Sequence, residues 1–215
     1  PNYAYFEQYG IEGLTAMKDI IQKYNESGFL TILDAKRGDI GSSSQAYANA
    51  AFDIWNADAI TVAPYMGTDS VSPFFKPGKG TYILCRTSNQ GSSDFQNLIC
   101  HDRPLYIRVL EKTLSSWFYE GIGIVLGATH LLEMEQAFAV IKESKKSLAI
   151  LIPGIGTQGG DIQKIQKMVL SSPNPHLVRI NASSSINYAY IKHGTHDFAQ
   201  AAVTEIIELS QSLSL

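Results

Sequence analysis

Short apolar, β-branched runs alternate along this chain with longer segments of helical period, and that alternation restricts the fold more than any other feature. Strand candidates fall at Phe29–Leu33, Ala59–Ala63, Thr81–Cys85, Ile122–Leu126, Ala149–Ile152 and His176–Ile180. Helical periods lie between them, at Ser42–Trp55, Pro104–Glu120, Leu131–Ser144, Gln163–Leu170 and Asp197–Leu213, the last carrying a stripe of Phe198, Ala202, Ile206, Leu209 and Leu213. An opening helix around Tyr5–Asn25 should stop at Ser27-Gly28, where glycine can take the left-handed conformation that ends helices. No linker or change of composition interrupts the pattern, so residues 1–215 read as a single βα-repeat domain.

Strands that are apolar almost throughout, each followed by a crossover helix, must be buried on both faces, which means a parallel sheet. A doubly wound sheet would normally show a Gly-rich turn after its first strand. Polar residues cluster instead just after several strands, at Asp34 to Asp39, Pro64 to Thr68, Arg86 to Asn89, Pro153 to Gly160 and Asn181 to Ser185. Polar groups at the carboxyl ends of many strands are how a (β/α)8 barrel builds its site. Such a barrel typically takes about 250 residues, whereas this chain has 215 and opens on a helix. The expectation is a partial TIM barrel with strands three to eight present and the first two upstream of Pro1.

Charge and composition remove other classes. With 17 Lys+Arg against 20 Asp+Glu, a net charge of −3, there is no basic face for nucleic acid. No apolar run approaches the ~20 residues of a membrane span, and no charged-then-apolar leader is seen. Cys85 and Cys100 make no C-x-x-C pair and the five histidines no H-x-x-x-H pair, so neither a disulfide framework nor a structural zinc is suggested. The expected setting is the cytoplasm, with no metal and with neither nucleic acid nor membrane as partner.

The most informative segment is Leu30-Thr-Ile-Leu-Asp34-Ala-Lys36-Arg-Gly-Asp39-Ile-Gly-Ser-Ser43. Alternation along a strand puts Leu30, Ile32, Asp34 and Lys36 on one face, so an apolar strand ends in a carboxylate and an ammonium. Gly38 permits a turn that swings Asp39 back toward that pair or toward a neighbouring subunit. A structural ion network is the plainer reading of such a group, but charged strand mouths in barrels usually serve chemistry. Arg37-Gly38-Asp39 also spells an adhesion tripeptide, read here as coincidence. A second cluster, Ile152-Pro-Gly-Ile-Gly156-Thr-Gln158-Gly-Gly-Asp161, reads as a phosphate cradle of backbone N–H groups before a helix. Its partner is Asn181-Ala-Ser183-Ser184-Ser185, in the position where barrels commonly bind phosphate. Trp55, Trp117 and the tyrosines are read as packing, and His130 either faces the site or caps the helix it opens.

On these residues the sequence resembles orotidine 5′-monophosphate decarboxylases, of the branch that includes mycobacterial and malarial enzymes. Asp34-x-Lys36-x-x-Asp39-Ile40-Gly41 matches the family's catalytic D-x-K-x-x-D-I, supported in family order by Tyr65-Met66-Gly67-Thr68, Thr87-Ser88-Asn89 and the Pro153 to Asp161 loop. The resemblance implies a TIM barrel that decarboxylates orotidine 5′-monophosphate to uridine 5′-monophosphate in pyrimidine biosynthesis, without cofactor or metal. It implies Asp34, Lys36 and Asp39 as catalytic residues, with Lys36 stabilising the C6 carbanion and then protonating it. Asp34 would disfavour the ground state beside the departing carboxylate and hold Lys36. Substrate contacts are implied for Asn2, Ile40, Ser43, Thr87, Ser88, Pro153, Gln158, Gly159, Ser183 and Ser184. A homodimer with shared sites is implied too, Asp39, Ile40 and Ser43 reaching the partner subunit.

Two departures stand out. The family's further catalytic lysine, expected just before the Pro1 to Gly10 stretch, and the first strand's ribose-binding aspartate are not in this sequence. The phosphate loop usually reads N-A-S-R, and Ser184 replaces the arginine, leaving Lys79 as a distant substitute cation. Two alternatives follow: a sugar-phosphate decarboxylase of the 3-keto-gulonate 6-phosphate type using a carboxylate of the D-x-K-x-x-D motif for Mg²⁺, or a noncatalytic nucleotide-binding fragment. Thr87-Ser88-Asn89 and Gln158, as hydroxyl and amide groups, suit a pyrimidine edge better than a sugar phosphate.

Overall fold

The computed structural model describes residues 1–154 and 162–213. Helices α1 (Tyr3–Glu7) and α2 (Gly10–Glu26) lead into β1 (Ile32–Arg37), α3 (Gly41–Asn49), β2 (Ala59–Val62), α4 (Thr68–Val71) and β3 (Gly80–Arg86). A short pair β4 (Ile99–Cys100) and β5 (Arg103–Pro104) precedes α5 (Leu105–Leu114), β6 (Ile122–Leu126), α6 (Leu131–Ser144) and β7 (Ala149–Pro153). The chain continues through α7 (Ile162–Ser171), β8 (Val178–Asn181), α8 (Ser184–Asn187), α9 (Ala189–Lys192) and α10 (Phe198–Leu213). Six strands form one parallel sheet in the order β1-β2-β3-β6-β7-β8, and β4-β5 is a separate antiparallel ribbon.

Two compact units divide the chain: Pro1–Cys85 with Val109–Ile124, and Arg86–Arg108 with Val125–Leu215. In the first, every residue of β2 is buried, as a strand covered on both faces requires. Met17 and Ile21, one turn apart on α2, are fully buried, each worth roughly 1.5–3 kcal/mol of removed apolar surface. Trp117 is buried here with its indole N–H donating to Thr68 Oγ1 (3.0 Å), which is a packing role. In the second unit, Leu126, Met134, Ala137, Ile141, Ile150, Ile152, Ile165 and Val169 form the apolar interior.

Several boundaries differ from the sequence reading, each for a local reason. The opening helix is two helices, because Gly10 takes a positive φ of 64° and breaks the run at its start. Gly28 does end α2 left-handed, at φ 80°. The first strand begins at Ile32 rather than Phe29, since Asp58 Oδ2 captures the Thr31 N–H (2.8 Å) and Phe29 turns back to Tyr24 (N–H to O, 3.0 Å). That strand also runs to Arg37, so the charged pair lies within it rather than beyond it. The helix expected over Pro104–Glu120 ends at Leu114, where the Ser115 hydroxyl bonds the Glu111 carbonyl (2.7 Å). β6 and α6 have the expected limits.

Candidate active site

The first unit carries the charged pair. Strand β1 pairs with β2 at Ile32↔Ala59 and Leu33↔Ile60 and then again only at Arg37↔Val62, so β1 bulges between Leu33 and Arg37. Lys36 sits in that bulge at φ 47°, a left-handed conformation that a side chain with a Cβ adopts at a cost of about 1–2 kcal/mol. What holds it is Thr61, buried in β2, whose Oγ1 accepts the Lys36 backbone N–H at 2.9 Å in place of a ladder bond. The same hydroxyl donates to Asp34 Oδ1 at 2.9 Å.

Asp34 is the hub. Its oxygens accept from Lys36 Nζ at 2.7 and 2.6 Å, and Oδ2 also accepts from Asn2 Nδ2 at 2.9 Å. Asn2 and Asp34 form a parallel bridge, so Asn2 supports the carboxylate, and it caps α1 by accepting from the Ala4 N–H. The Lys36 side chain remains 48% exposed, its ammonium accessible while tethered at one end. Arg37 next to it is stacked between the rings of Tyr3 (4.4 Å) and Tyr47 (4.7 Å), which pins the strand end to α1 and α3.

Of the two directions open to Asp39, back toward this pair or toward a neighbouring subunit, the first is not taken. Its carboxylate accepts from the adjacent Ile40 N–H at 2.8 Å and, among the described residues, makes no ion pair with Lys36. Ile40 and Ser43 are exposed at the start of α3.

In the second unit the chain after β3 forms a tight polar knot. Arg86 is almost wholly buried and bonds the Ser92 hydroxyl, Gln96 Oε1 (3.3 Å) and Glu133 Oε1 (3.4 Å). Thr87 is held by Gln96, and the Ser88 carbonyl accepts from Thr129 Oγ1 at 2.9 Å. Burial, reinforced by the Arg86 charge, pushes the His130 imidazole below its ordinary range, against the pull of Glu133. Burial alone would raise the Glu133 carboxyl, but hydrogen bonds from its own backbone and from Arg86, with the Arg86 and His130 charges, hold it below the usual range. His130 stands at the N-cap of α6 without a side-chain cap bond, so the capping reading fails.

Pro153 closes β7, its carbonyl accepting from the Ala128 N–H at 3.2 Å, and Gly154 follows at φ 89°. Gln158 and Gly159 lie outside the described residues. Ser183 is the N-cap of α8 and accepts from Asn181 Nδ2 at 3.1 Å; Ser183 and Ser184 are both exposed. Lys79, raised as a distant substitute cation, stands just before β3 and donates to the Ala57 carbonyl at 2.9 Å. His193, Glu205 and Glu208 converge at distances suited to a metal ion, but the Lys192 ammonium already bonds both carboxylates at 2.6 and 3.0 Å, which makes the group an ion-pair network.

The sequence reading missed Thr61, Gln96 and the supporting role of Arg86. Thr61 had a signal, the one hydroxyl in the buried run Ala-Ile-Thr-Val of β2. Gln96 had none in its own neighbourhood, because its partner Thr87 lies across a loop.

Parallel strands lying side by side in chain order, with an ammonium–carboxylate pair near the carboxyl end of one of them, are the arrangement of a TIM-barrel enzyme. The profile of the orotidine 5′-phosphate decarboxylase / HUMPS family matches residues 1–172. Over its whole length the chain is 41% identical to the orotidine 5′-phosphate decarboxylase of Roseiflexus sp. (strain RS-1), of which it covers 76%. Its structure is similar to Leishmania donovani OMP decarboxylase, with a TM-score of 0.80 at 34% identity over 100% of this chain and 80% of that one. It is similar also to Leishmania donovani UMP synthase, with a TM-score of 0.83 at 36% identity, covering 99% of this chain and 46% of that one. The chain belongs to the orotidine 5′-phosphate decarboxylase / HUMPS family.

Proposed function

We infer that the reaction is the decarboxylation of orotidine 5′-monophosphate to uridine 5′-monophosphate in pyrimidine biosynthesis. The observation that carries this is the Lys36 ammonium, held on both oxygens of Asp34 in a bulged strand of a family member. The C6–carboxylate bond breaks, CO2 leaves, and the electron pair stays on C6 in an orbital that no ring carbonyl delocalises. Such a charge must be met by a group fixed before the reaction starts. Lys36 is that group: it stabilises the carbanion and then gives C6 a proton, recovering one from solvent. Asp34, Thr61 and Asn2 act on Lys36 by fixing where its ammonium stands.

The remaining assignments are part of the same proposal. Thr87, Ser88 and the amide of Gln158 serve the pyrimidine; Pro153, the main chain at Gln158 and Gly159, Ser183 and Ser184 serve the phosphate. The active species is a homodimer in the cytoplasm, with Asp39, Ile40 and Ser43 reaching the partner's site. Exposed Ile40 (55%), Tyr65 (87%) and Met66 (43%), all in segments that follow β1 and β2, support an interface there. Among the described residues no helix is long and apolar enough to cross a membrane. At Asp34 the bonds from Lys36, Thr61 and Asn2 engage both oxygens, which weighs against Mg²⁺ on that carboxylate, and turnover that survives a chelator separates the decarboxylase from the sugar-phosphate alternative.

Lys36→Ala tests the core of this reading. Turnover should fall by at least about 10³-fold, the scale for losing one preorganised electrostatic group, while uridine 5′-monophosphate binds within a few-fold of wild type. Turnover within tenfold of wild type would remove Lys36 from the chemistry.

A further inference from the structure

Thr87 and Ser88 are adjacent hydroxyl residues, yet the structure treats them differently. Gln96 grips Thr87 at two points: its Oε1 accepts the Thr87 backbone N–H at 2.9 Å and its Nε2 donates to Thr87 Oγ1 at 2.8 Å. The Thr87 hydroxyl passes its own proton to Asn89 Oδ1 at 2.8 Å, so both its donor and an acceptor site are engaged. The amide of Gln96 has one workable orientation, because reversing it would set its NH2 against the Thr87 N–H and the Arg86 guanidinium. The glutamine backbone is fixed as well, its N–H on the Ser92 carbonyl (2.9 Å) and its carbonyl under the Tyr106 N–H (3.0 Å).

Ser88 is constrained only in its main chain. Its carbonyl is held by Thr129 Oγ1, and Gly127 lies so close that a Cβ there would sit 2.6 Å from the Ser88 nitrogen. Its hydroxyl has no hydrogen-bond partner among the described residues. A hydroxyl both donates and accepts, so when its backbone is fixed it can serve one particular edge of a pyrimidine; on a loose backbone it adapts to any edge.

We propose that Gln96 is a positioning residue for nucleobase recognition, pinning Thr87 so that the neighbouring Ser88 hydroxyl is presented rigidly to the uracil edge. This rests on the reading of Ser88 as a pyrimidine contact, and three variants of the purified enzyme separate the two. Gln96→Met keeps the volume and removes both bonds to Thr87. It should raise the KM for orotidine 5′-monophosphate and the Kd for uridine 5′-monophosphate about tenfold. It should leave kcat within threefold and lower the preference for uridine over cytidine 5′-monophosphate, with inhibition by inorganic phosphate unchanged. Gln96→Glu retains an acceptor for the Thr87 N–H beside Arg86 and should recover most of the preference. Ser88→Ala should weaken uridine 5′-monophosphate by itself, and adding Gln96→Met should then cost little more. If Ser88→Ala leaves that affinity unchanged, the pyrimidine role of Ser88 is wrong and the proposal falls with it. If Ser88→Ala weakens binding but Gln96→Met leaves the uridine-to-cytidine preference intact, Ser88 keeps its role and Gln96 loses the one assigned here. A Gln96→Met protein that loses phosphate and nucleotide binding in equal measure would reduce Gln96 to a folding residue and likewise overturn the proposal.

Discussion

Arg86 is a buried cation whose carboxylate partner, Glu133, stays partly in water, and His130 shares the same pocket of charge. The folded protein therefore resists putting a proton on His130, which burial and Arg86 both disfavour. Unfolded, the imidazole protonates near its ordinary value of 6.5, so in the window below that value the unfolded chain binds more protons and stability falls as pH falls. Glu133 acts in the same direction lower down: its contribution is present above the ordinary glutamate value of 4.5 and is lost as pH drops through its depressed folded value. Urea unfolding at pH 7.5 and 5.5 should show the wild type losing more of its midpoint than His130→Asn does. Equal losses would mean that the imidazole titrates alike in both states.

At the scale of elements, the ends of strands are where close approach matters most. Gly127 follows β6 directly, donates its N–H to the Arg86 carbonyl at 2.7 Å, and faces the Ser88 main chain. In Gly127→Ala the new Cβ meets the Ser88 nitrogen, Cα and Cβ at 2.6, 2.7 and 2.9 Å, none of them the far end of a flexible side chain, so the Ser88 loop must move. The expected cost is about 1–3 kcal/mol of stability, read as a lower urea midpoint, with weaker uridine 5′-monophosphate binding alongside. Binding that survives while stability falls would show that the Ser88 loop tolerates displacement. The elements themselves were largely legible, because β6 and α6 are long, periodic and flanked by clear breaks. What local pattern failed to reveal was set by contacts distant in sequence. The start of β1 depends on Asp58 taking the Thr31 N–H, and the stance of Lys36 depends on a hydroxyl on the neighbouring strand. Asp34 and Lys36 were legible as a pair from a strand's two-residue spacing, although it is the bulge between Leu33 and Arg37 and the bond to Thr61 that set the backbone there; Asp39 lies past the strand, where no period applies.

For the molecule as a whole, the proposed dimer makes a prediction that neither unit makes alone. If Asp39 serves the partner's site, Asp39→Ala and Lys36→Ala proteins are each inactive, but a hybrid dimer contains one site with both groups intact. Random exchange of equal amounts should restore about a quarter of wild-type activity, since about half of the dimers are hybrids and half of their sites are whole. Mass spectrometry of the mixture establishes that exchange has occurred. Hybrids that form and remain inactive would confine each site to one chain.

The left-handed backbone at position 36 also sets the needs of the fold against those of the chemistry. Glycine or asparagine would adopt that conformation with less strain, and neither could supply a proton to carbon. Replacing Lys36 by either would relieve that backbone strain while giving up the ion pair with Asp34. Fold and chemistry thus pull position 36 in opposite directions: the proton donor that the reaction needs is the side chain that the backbone there accommodates less well.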